Sequence, residues 1–175
     1  MEPWEIIILV GTILLALIIT ACIIKYNIIH QRKAKIAEAL QARFSADAIT
    51  WHHDRDSYQI AVETESTLYL IKVVPFYLKS ELIITNPTFW CVNQDPRNWK
   101  RSSKPELVPG VEAFLAHTPE TKKKISRIAL IYPGAYNISR YLNESDVELV
   151  SHKQAVHGVF FVRFVELQDF LANQG

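Results

Sequence analysis

The densest set of groups able to hold a metal or move a proton is His52, His53, Asp54, Arg55 and Asp56, two imidazoles and two carboxylates in five consecutive positions. Neighbouring side chains in an extended strand point to opposite faces, so the paired histidines cannot both reach one ion from a regular strand. The cluster reads as a polar lead-in to the first strand, and no metal or other cofactor is expected. Gly11, Gly110, Gly134, Gly158 and Gly175 are too few and too scattered to build a phosphate-cradling loop, and no nucleophile elbow can be written. Nucleotide hydrolysis is therefore not expected.

A second set lies in residues 93–110, where Pro96, Pro105 and Pro109 punctuate Arg97, Trp99, Lys100, Arg101 and Lys104. Basic charge interleaved with an aromatic can track a nucleic-acid backbone and stack a base. Trp and Arg also dominate protein interfaces, and these five residues are assigned to partner binding. The run Lys122, Lys123 and Lys124 reads as a solvated turn before a strand. Cys22 and Cys91 fall in different parts of the chain, so no intrachain disulfide is expected and a reducing compartment fits.

The elements that carry these residues follow from periodicity. Residues 28–44 are helix formers with Ile36, Leu40 and Phe44 four apart, a narrow apolar stripe on a basic helix. Tyr58, Ile60 and Val62 alternate with polar or small neighbours, residues 64–66 turn, and residues 68–76 form an apolar run broken only by Lys72. This is a hairpin with its second strand in the sheet centre. Lys72 is expected to reach the rim or to pair with Glu63 or Glu65 across the turn, because a lysine is rarely buried. Residues 81–92 are apolar with an Asn86-Pro87 break, residues 109–117 suggest a short helix, and residues 128–132, 147–150 and 159–162 read as strands. A closing helix runs through Val165, Leu167, Phe170 and Leu171. The order argues for an α/β (α+β) sandwich, one domain with a mixed sheet.

The hairpin and the run Leu68-Tyr69-Leu70-Ile71-Lys72-Val73-Val74 resemble the core of the nuclease-related domain family, a branch of the PD-(D/E)xK endonuclease fold, over about residues 34–171. Trp90, the 128–132 strand and the ending through Phe170 extend the similarity. The resemblance implies a restriction-endonuclease-like sheet in which one strand bears an Asp and the next reads apolar, Glu, any residue, Lys. Here Tyr58 stands at the Asp position, Lys72 at the metal-binding Glu and Val74 at the catalytic Lys. Asp56 matches only with a shifted register. Such nucleases need carboxylates around Mg²⁺, so the resemblance implies a degenerate site and a protein that is not an enzyme.

Residues 6–24 contain no charge, Asn, Gln or His, and 19 residues at about 1.5 Å each just cross a hydrocarbon core of about 30 Å. Glu2 and Glu5 precede the run, whereas Lys25, Arg32, Lys33 and Lys35 follow it with no acid before Glu38; Trp4 and Tyr26 sit where interfacial aromatics belong. The expected topology is single-pass in the cytoplasmic (inner) membrane, with the N-terminus outside and the C-terminal domain in the cytoplasm. A cleaved signal would need a basic start, which is lacking. Ile19-Thr20-Ala21-Cys22 resembles a lipobox, and an exported lipoprotein is the reading it would favour; the charge asymmetry argues against it.

The expected organisation is an anchor at 1–27, a juxtamembrane basic helix at 28–47 and a domain at 48–175 with a long loop at 93–110. Residues 25–175 hold 19 Lys and Arg against 16 Asp and Glu, a balance of +3 that does not announce a nucleic-acid binder. The function expected is a non-catalytic docking or scaffold subunit of a larger membrane assembly, such as secretion or conjugation machinery, with other membrane-complex proteins and the bilayer as partners. The alternative is a membrane-tethered nuclease or nucleic-acid binder using Asp56, Glu63 and Lys72.

Overall fold

The computed structural model describes residues 3–52, 57–76, 80–93, 105–143 and 146–173. The chain divides into two compact units, Met1–Glu38 and Ala39–Gly175. The first is most of helix α1 (Pro3–Gln41), whose Ile7–Gln41 stretch is long and apolar enough to cross a membrane. Its apolar side chains, among them Ile8, Leu14, Leu17, Ile19 and Ile24, are exposed around the whole circumference. A helix apolar on every side has no water-facing surface, which is the pattern of a lipid-embedded segment. Thr12 and Thr20 fit that setting, because each hydroxyl donates to the carbonyl four residues back, Ile8 O and Ala16 O, both at 2.8 Å.

The second unit is, as expected, a mixed α/β domain, and it is built of two sheets. The first sheet has the order β1 (Ile49–Trp51), β2 (Ile60–Glu63), β3 (Thr67–Pro75), β7 (Lys124–Tyr132), β10 (Val159–Arg163). Its first three strands are antiparallel, and β3, β7 and β10 run parallel. The second sheet has the order β6 (Glu106–Leu107), β5 (Phe89–Asn93), β4 (Glu81–Asn86), β8 (Asn137–Tyr141), β9 (Val147–Leu149), parallel only between β4 and β8. As expected, β3 is central, between β2 and β7. The short strands β1, β6 and β8 were not legible, since two to five residues without strict alternation carry little period. Strand β6 lies inside the stretch expected to be a loop.

One core spans both sheets. Alternate residues of β3 and β7, Leu70, Val74, Ala129 and Ile131, face Leu82, Ile84, Trp90, Val92 and Ile138 of the second sheet. Trp90 is the hub, with ring centroids 4.8 Å from Phe161 and 6.4 Å from Phe114 of helix α2 (Val111–Ala116). Gly110, at φ 68°, makes the left-handed turn that starts α2, a conformation costly for a residue with a Cβ. The opposite face of the first sheet is covered by helix α3 (Leu167–Ala172), where Phe170 stacks on Phe160 at 5.1 Å, and by Phe44, 6.0 Å from Tyr69.

Candidate functional site

Tyr58, Lys72 and Val74 meet different fates in the fold. Val74 is a core residue with 1% of its surface exposed, so nothing at that position touches a ligand. Lys72 neither reaches the rim nor pairs with Glu63. It is 2% exposed, in register with core residue Ala129, and its Nζ donates to Ser57 O at 3.1 Å. Glu63 pairs instead with Lys123 at 2.8 Å, so Lys123 is not simply solvated. The expectation failed because residue frequencies rank lysine as exposed, while the parity of β3 turns position 72 toward the core side with Leu70 and Val74. There the Ser57 carbonyl accepts one hydrogen bond from the ammonium.

Tyr58 lines an open cleft. Its ring lies 4.7 Å from His52 and 4.8 Å from His117 by centroids, so the three rings form a continuous aromatic wall. Ser57, Ala113 and Ala116 complete the lining. The backbone around it is pinned to the sheet, with His52 N donating to Gln59 O at 2.8 Å, Gln59 N to Ile71 O at 3.0 Å, and Val73 N to the Gln59 Oε1 at 2.7 Å. On the helical side, Arg127 of β7 donates from Nη2 to His117 O at 2.9 Å. Two cations of neighbouring strands therefore hold one carbonyl on each side of the cleft. Sequence reasoning missed His117 and Arg127. The available signal was a charged residue flanked by strand-forming Ile125 and Ile128, in a strand whose start was set at Ile128.

Of the residues singled out beforehand, His53, Asp54, Arg55 and Asp56 lie outside the described residues, as do Arg97, Trp99, Lys100, Arg101 and Lys104. Among the described residues no group of three His, Cys, Asp or Glu could hold a metal ion.

A charged cluster lies elsewhere, where β10 ends. The Arg163 guanidinium donates to the Glu166 carboxylate, which also accepts from Arg163 N at 3.3 Å and lies 3.5 Å from His152 Nδ1. Burial raises the Glu166 carboxyl, but the hydrogen bonds and charge of Arg163, with His152 behind them, outweigh it and leave the group below the usual carboxylate range. The cluster ties the 151–157 segment to the start of α3 and faces no cleft lining residue.

The outer face of the second sheet is different in kind. The register aligns Leu107, Cys91, Ile83, Ser139 and Leu149 in one row across five strands, on the side opposite Leu82, Trp90 and Ile138. Leu107 and Leu149 are exposed, as are Phe89, Tyr141, Leu142 and Val147 around them; Leu149 keeps 68% of its surface in solvent. Cys91 in the middle is buried, and burial pushes its thiol up, so it behaves as a small apolar residue. Ser139 is buried as well, so the exposed apolar groups lie toward the two ends of the row, and exposed apolar groups gathered on one face are a mark of a binding surface.

No protein-family model, curated protein or solved structure matches the chain. Its reading rests on its own residues.

Proposed function

We propose that the protein is a single-pass, membrane-anchored docking subunit without catalytic activity, whose apolar sheet face receives a protein partner held in the same membrane. The observation that carries this reading is the exposure of Leu107 and Leu149, the two ends of that row, with Phe89, Tyr141, Leu142 and Val147 exposed beside them. Solvent exposure of so many large apolar groups is unfavourable by about 25 cal/mol per Å², a cost relieved when a partner covers them. An apolar helix that precedes this domain along the chain supports the membrane setting. The basic residues after position 24 support an inner-membrane topology with the domain in the cytoplasm. A reporter fused after Gly175 is expected to be active only on the cytoplasmic side, and Cys22→Ala to leave membrane attachment unchanged.

The absence of nuclease chemistry belongs to the same proposal. At the position matching a metal-binding Glu stands the Lys72 ammonium, which repels a divalent cation, and Val74 is in the core. Mg²⁺- or Mn²⁺-dependent cleavage of DNA or RNA by the purified full chain would overturn this part. Trp99, with Arg97, Lys100, Arg101 and Lys104, is the sequence-based candidate for a second contact with the partner. Affinity purification of wild type and of a Leu107→Ser, Leu149→Ser double variant from detergent-solubilised membranes tests the docking face. A partner enriched with wild type and lost with the variant, at equal melting temperature, is the expected result; equal recovery with both would overturn it.

A further inference from the structure

Helix α1 does not turn polar where its charge-free run ends. It continues past Ile24 without a break, and Tyr26, Ile28 and Ile29 keep 67%, 54% and 38% of their surface exposed, so the fold leaves them largely uncovered. Unbroken polar sequence begins only at His30, Gln31, Arg32 and Lys33. At about 1.5 Å per residue the stretch from Ile7 to Ile29 is about 34 Å long, more than a hydrocarbon core of about 30 Å requires.

Two placements of the bilayer edge compete. An edge at Ile24 puts Lys25 among the headgroups and leaves Ile28 and Ile29 in water. An edge at Ile29 covers both isoleucines and obliges the Lys25 ammonium to leave the hydrocarbon. The arrangement around the helix favours the second. At about 100° per residue, Ile28 and Ile29 flank the direction of Lys25, while Asn27, His30 and Gln31 point the other way, so this turn has an apolar side and a polar side. A helix longer than the hydrocarbon core accommodates itself by tilting. A tilt toward the Ile28 side lowers the two isoleucines into the acyl chains and lifts Asn27, His30 and Gln31 toward water. Lys25 stands four residues, about 6 Å, below Ile29 along the axis, a distance that a lysine stem spans while keeping its ammonium at the headgroups. Helix α1 carries no acidic side chain between Glu5 and Glu38, and no ion pair among the described residues involves Lys25, so lipid phosphate is the natural counter-charge at that depth.

We propose that the lipid-covered surface of the anchor extends one turn beyond the charge-free run, with Ile28 and Ile29 among phospholipid acyl chains and the Lys25 ammonium on a lipid phosphate, in a helix tilted toward that side. The inference rests on the membrane reading above and adds to it a depth and a direction of tilt.

Spin labels on the full chain in phosphatidylcholine nanodiscs provide the test. In a Cys22→Ala background, with buried Cys91 left in place and the unsubstituted background as the blank, single cysteines replace Leu14, Ile28, Ile29 or Gln31 and carry a nitroxide. Collisions with oxygen report lipid, and collisions with a water-soluble nickel chelate report water. Labels at Leu14, Ile28 and Ile29 are expected to meet oxygen, and the label at Gln31 to meet nickel roughly fivefold more often than the label at Ile28. Lys25→Glu, which brings a short side chain of the wrong charge for phosphate, is expected to raise the Ile28 and Ile29 labels to the nickel accessibility of Gln31, whereas Lys25→Arg keeps them in lipid. Water-accessible labels at Ile28 and Ile29 with Leu14 in lipid would overturn the extension and leave the anchor itself intact. Water accessibility at Leu14 as well would overturn the membrane reading. Labels at Ile28, Ile29 and Gln31 all equally in lipid would overturn the tilt, and an unchanged depth in Lys25→Glu would overturn the phosphate contact.

Discussion

At the cleft, Lys72 and Arg127 donate from the sheet to the carbonyls of Ser57 and His117, so the cleft lining is fastened to groups that hold the fold. On the outer face of the second sheet, Leu107, Val147 and Leu149 are attached through their backbone ladder and their side chains end in solvent. The difference teaches how far binding and stability can be separated in one domain. A polar pocket recessed toward the core couples the two, because each buried cation must be satisfied by backbone that the fold positions. An apolar sheet face leaves them separable, because its inward residues alone carry the core.

The largest effect sharpens that contrast within the second sheet itself. Trp90→Ala removes the hub between Phe114 and Phe161 and should cost about 3–5 kcal/mol, read as a loss of melting temperature or of cooperative unfolding. Next comes the cleft. Lys72→Ala leaves a cavity and deprives Ser57 O of its donor, and should destabilise by about 2 kcal/mol or more, with Lys72→Met, which keeps the volume, costing less. A Lys72→Ala protein that unfolds at the wild-type denaturant concentration would break the comparison, since the cleft would then be as detachable as the outer face.

Acid separates the polar clamps from the apolar face. Glu166 has a folded pKa depressed below its unfolded value, so its contribution is present above the ordinary carboxylate range and is lost as pH falls through the folded value. Glu166→Gln should therefore cost about 1 kcal/mol at neutral pH and flatten the acid limb of the stability profile, measured by urea unfolding from pH 7 downward. An acid limb as steep in the variant as in wild type would assign the loss to other carboxylates. The smallest effect is at the exposed row. Leu149→Ser should change stability by no more than about 0.5 kcal/mol while lowering partner recovery. A drop in melting temperature comparable with that of Lys72→Ala would show the outer face to be part of the fold's support.

Much of the architecture could be read directly from residue order. The long apolar N-terminal helix, the 60–63 and 67–75 hairpin with its central second strand, the Asn86-Pro87 break, the short helix after Gly110 and the closing helix are each marked by a local period or a breaker. The cleft could not be read in this way. His52 and Tyr58 were singled out for a metal and for a nuclease position, whereas their shared feature is the cleft they line with His117, 65 and 59 positions away along the chain. The second sheet was legible only in part, because β6 and β8 are short and the pairing of β4 with β8 is non-local.

What the sequence determined by itself is whatever needs only neighbours along the chain: a run of apolar residues long enough for a bilayer, a charge asymmetry across it, and the alternation of the long strands. The tertiary structure decided which face of β3 looks inward, and hence that Lys72 is buried under a cleft. It also decided that Arg127 stands beside His117 and that Leu107 and Leu149 lie in one row. These are consequences of strand register and of parallel crossover between distant segments. Register is a property of pairs of strands, and no local pattern in either strand contains it.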